Sequence, residues 1–469
     1  MFILGEKLVK ENIITQSQLD EALDRQRRLG GRLGQNLVAL GHVTEADIRK
    51  QYQKNPPPPK CVEDTGLALS FLTDLVLKHI VFMGEFRMGD VVDRIKLPIT
   101  IVNRALEVLK REKFVEIKGA TSYASATYSF KVTEAGQKRS LELMDLCRYA
   151  GPAPVTLDEY QAMVELQTVK FITISDQTLR EAFSHLVCRE DLFRRLGPAI
   201  TSGQTVFIYG PPGNGKTAIA EAVGRVPTDF IYVPYAIDVG GQIISVFDPV
   251  NHIPVPPALL PEYVDQRWVL VRRPVVMVGG ELTMRMLDLD FNRISKYYEA
   301  SLQLKANNGI FILDDFGRQQ IEPRDILNRW IVPLDRHIDF MTLHTGMKFA
   351  VPFDMLVIFA TNLDPAQLLD EAFLRRIRYK VEIDRPTEPE YQRIFKMVCD
   401  SNEVPFNQEA YDYLISYCYK QYGAIPNACH PRDLIEQIIV ESRYHDRPAK
   451  LTKESIEMAC ANYFVRMET

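Results

Sequence analysis

Several things are scarce in this chain, and each scarcity removes a class of protein. No apolar run reaches the length needed to cross a bilayer, so no transmembrane helix is expected. The first residues, Met-Phe-Ile-Leu-Gly-Glu-Lys, carry no apolar signal core, and the expected location is cytoplasmic. The seven cysteines are scattered and contain no C-x-x-C pair. That argues against a zinc ribbon or a disulfide scaffold, and for free thiols in a reducing compartment. There is no excess of positive charge: 56 Lys and Arg stand against 61 Asp and Glu, a net charge of −5. Overall composition therefore gives no pull toward nucleic acid or anionic lipid. What remains is 469 residues with an apolar fraction of 46%. That is material for a large core and about three domains of ordinary size.

An octapeptide carries the strongest signal. Gly210-Pro211-Pro212-Gly213-Asn214-Gly215-Lys216-Thr217 meets every constrained position of G-x-x-x-x-G-K-[ST]. The apolar run from Thr205 to Tyr209 predicts a buried parallel strand before it, and Ala218 to Val223 predicts a helix after it. In that context the glycines let successive backbone N–H groups face one anion, and the helix N-terminus adds partial positive charge. Lys216 is expected on the β- and γ-phosphates of a nucleotide and Thr217 on Mg²⁺.

The chain before this loop divides in three. Leu4-Gly5, Leu8-Val9, Ile14-Thr15 and Leu19 recur as Leu33-Gly34, Leu37-Val38, Val43-Thr44 and Ile48, at a constant offset of 29 residues. Two similar units are expected to pack through these apolar positions. Asn55 is followed by four prolines, which favour an extended, semi-rigid spacer and a domain boundary. From about 63 to 145 the pattern reads helix, short helix (Met88 to Ile95), longer helix (Ile99 to Arg111), two strands (Phe114 to Ile117, Ala126 to Phe130) and a helix opened by Thr133. This is a winged-helix pattern. The polar face of its longer helix offers few basic or amide side chains, namely Asn103, Arg104, Lys110 and Arg111, so protein interaction is favoured over DNA binding.

Downstream of the loop, Ile310 to Leu313 predicts a second buried strand ending in Asp314-Asp315. Asp314 is placed to hold Mg²⁺ through water, and Asp315 to polarise an attacking water. A third strand, Leu356 to Ala360, ends in Thr361-Asn362, whose amide can reach the γ-phosphate or that water. The stretch Leu369 to Arg378 puts Arg375 and Arg376 on a helix end, and Arg432 falls in the first turn of a C-terminal helix, where an anion would offset its charge. Two segments exceed a minimal core: extra strands with a turn across 267–278, and a hairpin across 338–352 turning at Thr345-Gly346.

These motifs resemble those of the AAA+ ATPases, over about 173 to 469. The resemblance implies an α/β nucleotide-binding core with a parallel sheet (173–385), a helical lid (386–469), ATP and Mg²⁺ as ligands, and a homo-oligomeric ring, expected to be a hexamer. It makes Gly210 to Thr217 the Walker A loop, Ile310 to Asp315 Walker B, and Asn362 sensor 1. It makes Arg376 the arginine finger, with Arg375 as the alternate, and Arg432 sensor 2. The hairpin before the sensor-1 strand looks like the insertion of a clade that includes the MoxR-like chaperones. One departure is Asp315 where the family has Glu; a carboxylate one methylene shorter must draw the water closer or work more slowly.

The repeat at 1–55 is similar to the N-terminal domain of type II secretion and type IV pilus assembly ATPases, one form of which binds cyclic di-GMP. That form pairs units beginning Arg-Leu-Gly and ending in a helical Gln, five residues apart. Here Arg32-Leu33-Gly34 opens the second unit and Gln26 closes the first, with 27–31 as the spacer. Ile3, Asn12 and Asn55 replace an Arg, a Gly and the second Gln, so the expected binding is weak and a docking role stays open. The winged-helix unit (63–145) completes the expected order of domains. The whole then reads as an ATP-driven remodeller of a protein client in a secretion, pilus or signalling system. The alternatives are a DNA-binding, ATP-switched regulator and a nucleotide-switched scaffold with negligible turnover.

Overall fold

The computed structural model describes residues 8–9, 13–29, 33–44, 55–120, 128–172, 174–261, 263–365 and 375–464. The N-terminal unit contains α1 (Gln16–Leu29) and α2 (Leu33–Ala39). Leu8, Ile14 and Leu19 of the first copy share one small core with Leu37 and Val43 of the second. The matched apolar positions therefore close on each other; Ile48 lies outside the described residues.

The proline run, expected as an extended, semi-rigid spacer, is also held against another part of the chain. The Tyr232 hydroxyl donates to Asn55 Oδ1 at 2.7 Å, and the Asp265 amide donates to the Pro56 carbonyl at 2.9 Å. Pro56 and Pro59 are buried. An extended proline run has carbonyls to offer and no N–H groups of its own to satisfy, so it can lie along another segment as a strap.

Next come α3 (Leu69–Ile80), β1 (Glu85–Arg87), α4 (Met88–Ile95), α5 (Ile99–Arg111), β2 (Val115–Ala120), β3 (Tyr128–Val132) and α6 (Glu134–Leu146). The strands form an antiparallel sheet in the order β1-β3-β2. Pro98 opens α5, which buries Ile101, Val102, Ala105, Leu106 and Leu109 along one stripe. Thr133 caps α6 by accepting from the Gly136 amide at 3.1 Å. The core of this unit runs on into Ala236 and Ile243, which fixes it to the next layer.

From Val155 the chain builds two sheets in alternation. First come β4 (Val155–Thr156), α7 (Leu157–Leu166), α8 (Asp176–Ala182), α9 (Glu190–Ser202), β5 (Val206–Tyr209) and α10 (Lys216–Arg225). Then follow β6 (Phe230–Pro234), β7 (Ala236–Val239), β8 (Gln242–Ser245), β9 (Trp268–Arg272), β10 (Val275–Val278), β11 (Asp290–Asn292), β12 (Tyr297–Glu299) and β13 (Ile310–Leu313). The last part is α11 (Pro323–Arg336), β14 (Ile338–Thr342), β15 (Lys348–Pro352), β16 (Leu356–Thr361) and β17 (Tyr379–Glu382).

The central sheet is entirely parallel, in the order β10-β13-β16-β5-β17. Helices flank it, giving an α/β core, and its inner strands are apolar on both faces. A mixed sheet, β11-β12-β8-β7-β4, and the antiparallel pair β6–β9 form a second layer with α7. The sequence pattern puts both strands of 267–278 outside the core. That holds for β9, but β10 is the edge strand of the central sheet. Pro274 separates them because it cannot donate to a ladder, and its carbonyl instead accepts from the Ile310 amide at 2.8 Å. The β14–β15 hairpin is not free-standing: Met341, Leu343, Phe349 and Val351 pack into the second layer. The His344 ring stacks on Phe291 at 4.1 Å. The opposite face exposes Ile338 and Phe340.

The chain ends in α12 (Glu388–Ser401), α13 (Gln408–Tyr413), α14 (His430–Tyr444) and α15 (Lys453–Tyr463), around Tyr391, Phe395, Leu434, Ile438 and Ile456. No described helix is long and apolar enough to cross a membrane.

Candidate nucleotide site

Parallel strands in register bring their C-terminal ends together, and open α/β sheets bind ligands at that edge. Here β5 runs into Gly210, β13 into Asp314 and β16 into Asn362. Gly210 has φ +140°, and a Cβ there would stand 2.2 Å from the Ile383 carbonyl, so only glycine lets the loop leave β5 beside β17. The loop then feeds the N-terminus of α10, which begins at Lys216. Lys216 is buried, and its ammonium donates to the Pro211 carbonyl at 2.9 Å. Burial lowers its pKa, while Asp315 and Asp314 oppose that effect.

The Thr217 hydroxyl donates to Asp314 Oδ2 at 2.8 Å across 97 residues of sequence. A hydroxyl and a carboxylate converging at the end of the phosphate loop are oxygen donors of the kind a hard cation such as Mg²⁺ takes. The next residue, Asp315, has φ +47°, a left-handed backbone uncommon outside glycine. Bonds from neighbouring residues hold this turn in place. The Asn362 amide donates to Asp315 Oδ1 at 3.3 Å. The Phe316 amide donates to the Ala360 carbonyl at 2.8 Å, while the Thr361 hydroxyl donates to the Phe316 carbonyl at 2.6 Å. Gln319, which the sequence motifs do not single out, donates to the Asp314 and Asp315 carbonyls at 2.9 and 3.2 Å and accepts from the Gly317 amide at 2.8 Å. A glutamine shortly after an acidic pair is too ordinary a pattern to signal this brace.

The arginines pair with carboxylates or stand exposed. Arg376 bonds both oxygens of Asp335 on α11, at 3.1 and 2.9 Å. Arg375 is exposed in a turn; of the helix expected over 369–378, residues 369–374 lie outside the described residues. Arg432 is in the first turn of α14, as expected, with a side chain 74% exposed and bonded to Asp433 at 3.3 Å. The C-terminal helices nonetheless touch the loop: the Cys429 amide donates to the Gly213 carbonyl at 2.9 Å, and the Ala428 amide to Asn214 Oδ1 at 3.1 Å. Of the cyclic di-GMP candidates, Arg32 lies outside the described residues, Gln26 falls within α1, and Leu33 and Gly34 open α2.

Comparison with known proteins finds distant similarities. Over 166 residues the chain is 25% identical to the proteasome-activating nucleotidase of Methanocella arvoryzae, a match covering 33% of this chain. It spans 38% of the length of that relative. Residues 387–462 match a domain of unknown function, DUF8689. NtrX from Brucella abortus, solved in complex with ADP, overlays with a TM-score of 0.38 at 15% identity, covering 62% of this chain and 59% of that one. Domain III of the replication initiation protein DnaA from Thermotoga maritima overlays with a TM-score of 0.36 at 11% identity, covering 62% and 99%. A point variant of Thermotoga maritima RuvB gives 0.33 at 10%, covering 62% and 71%. The P-loop core is AAA+ ATPase-like, and the relationship is distant.

Proposed function

We propose that this chain is a Mg²⁺-dependent ATPase of the AAA+ type that works as a ring, expected to be hexameric, and remodels a protein client. The observation that carries the reading is the meeting of Thr217 with Asp314, and of Asn362 with Asp315, at the mouth of one glycine loop. In this reading the loop N–H groups and Lys216 bind the phosphates, and Thr217 and Asp314 hold the cation. Asp315 polarises water that Asn362 helps to place. Arg376, with Arg375 beside it, serves a neighbour's site, and Arg432 answers the same nucleotide from the lid. The docked hairpin before β16 suits a place among the MoxR-like relatives.

The unit at 63–145 reads as a winged helix used for protein contact. On α5, Asn103 is spent on Glu107 at 3.0 Å, and Glu63 lies close enough for the Arg104 charge to be felt there. Carboxylates on that face disfavour a phosphate backbone. The N-terminal unit reads as a docking module that retains at most weak affinity for cyclic di-GMP, with Arg32 as the residue to engage it. That resemblance supports a secretion, pilus or signalling setting.

The test is assembly-dependent turnover. ATP hydrolysis per subunit should rise with protein concentration alongside a ring-sized species in mass photometry. Turnover unchanged on dilution to monomer would overturn the ring mechanism. A salt-sensitive gel shift with duplex DNA would favour the DNA-binding regulator.

A further inference from the structure

The segment that matches a domain of unknown function reaches the phosphate loop through a contact that the sequence does not advertise. Asn214 is 5% exposed, and all its polar side-chain atoms are engaged. Its amide nitrogen donates to the Pro211 and Pro212 carbonyls at 3.2 and 3.3 Å. Its oxygen accepts from the Ala428 amide at 3.1 Å. Beside it, the Cys429 amide donates to the Gly213 carbonyl at 2.9 Å. Gly213 has φ +76°, and a Cβ on it would stand 2.8 Å from Cys429 Sγ, so the two segments are in contact.

The far side of this contact is anchored as well. The Asn427 amide donates to His430 Nδ1 at 3.4 Å, and the same ring nitrogen meets the Tyr419 hydroxyl at 2.9 Å. Arg385 donates to Asn427 Oδ1 at 3.2 Å. Residues 427–429 therefore join the phosphate loop to the start of α14 without slack.

Only an amide side chain fits both halves of this arrangement. Two N–H donors turn the Pro211 and Pro212 carbonyls inward, which leaves the loop N–H groups for an anion. One oxygen is left for the lid. We propose that Asn214 is a positioning residue that ties the phosphate loop to residues 427–429, so that loop and C-terminal helices respond to nucleotide phosphates as one body. The inference rests on the nucleotide site proposed above. It gives the 387–462 segment a role, which is to carry the state of the loop into the C-terminal helices.

The test uses the full-length chain, calorimetry with Mg·ATP, and amide hydrogen exchange across 387–462. In the wild type, saturating Mg·ATP should slow exchange across 424–444. Asn214→Ala should bind ATP about tenfold more weakly, the worth of one or two hydrogen bonds. At saturation it should lose most of the exchange response. Asn214→Thr, whose hydroxyl can accept from Ala428 but cannot brace two carbonyls, should restore part of it. A full wild-type response in saturated Asn214→Ala overturns the proposal. If the Ala variant does not fold, an undiminished response in Asn214→Thr overturns it instead. Failure of the wild type to bind ATP would reject the nucleotide reading, and the wild-type isotherm separates that failure from failure of the tie alone.

Discussion

The side-chain amide of Asn362 donates to the carboxylate of Asp315 at 3.3 Å, joining the ends of two adjacent strands 47 residues apart in sequence. The bond orients the carboxylate of Asp315, a non-glycine residue with a left-handed backbone. In the proposed mechanism the second oxygen, Oδ2, takes up a proton from water. Asp315→Asn should therefore keep Mg·ATP bound and lower turnover by at least about 100-fold, the lower bound for a general base. Phosphate release and calorimetry on the same preparation measure the two effects. Turnover within a fewfold of wild type would remove Asp315 from the mechanism.

Arg376 is held by Asp335 of its own chain, outside its own phosphate loop. A finger that serves a neighbour has this consequence: Arg376→Ala should depress turnover while leaving ATP affinity nearly intact. Mixing it with Lys216→Ala protein should recover activity, because some interfaces then join an intact loop to an intact finger. No recovery on mixing would argue that Arg376 acts within its own subunit or only structurally.

The core was legible because its strands are short, apolar on both faces and followed by chemically constrained residues. Ile310 to Leu313 and the run from Leu356 announce themselves this way, and the structure bounds them as Ile310–Leu313 and Leu356–Thr361. What escaped the sequence is long-range. Nothing near Pro56 signals that its carbonyl meets Asp265, and nothing near Val275 assigns it to the central sheet rather than to β9. Asp335, Gln319 and residues 427–429 matter through partners that only the fold supplies. A glutamine or an aspartate on a solvated face has the same local pattern.

Stability should fall on mild acidification. Buried His252 accepts from the Asp248 amide through Nδ1 at 2.9 Å and donates to the Lys305 carbonyl at 2.8 Å. His430 Nδ1 is likewise engaged as an acceptor from the Asn427 amide. Burial lowers both pKa values from the ordinary 6.5. The unfolded chain then binds protons that the folded chain refuses. Stability is fully present above pH 6.5 and declines as pH falls from there toward the depressed folded values. Thermal midpoints at about pH 7.5 and 5.5 check this; equal midpoints, or a higher one in acid, would contradict it.

Arg267 ties together three parts of the chain. Its side chain is 1% exposed and pairs with Asp265 at 2.8 Å and Glu159 at 2.9 Å. It also donates to the Thr65 and Pro154 carbonyls, each at 3.2 Å. Arg267→Met would leave Asp265 buried without its cation and should cost about 3–5 kcal/mol. Denaturant unfolding measures this, and a loss under about 1 kcal/mol would show that water replaces the guanidinium.

In the proposed function the Gly210 to Thr217 loop binds a nucleoside triphosphate. Calorimetric titration of the full-length protein with Mg·ATP, beside Lys216→Ala, tests it most directly. The wild type should bind saturably, and binding should weaken by about 100-fold or more in the variant, whose loop has lost its one buried cation. No binding by the wild type, or equal binding by both, would contradict it.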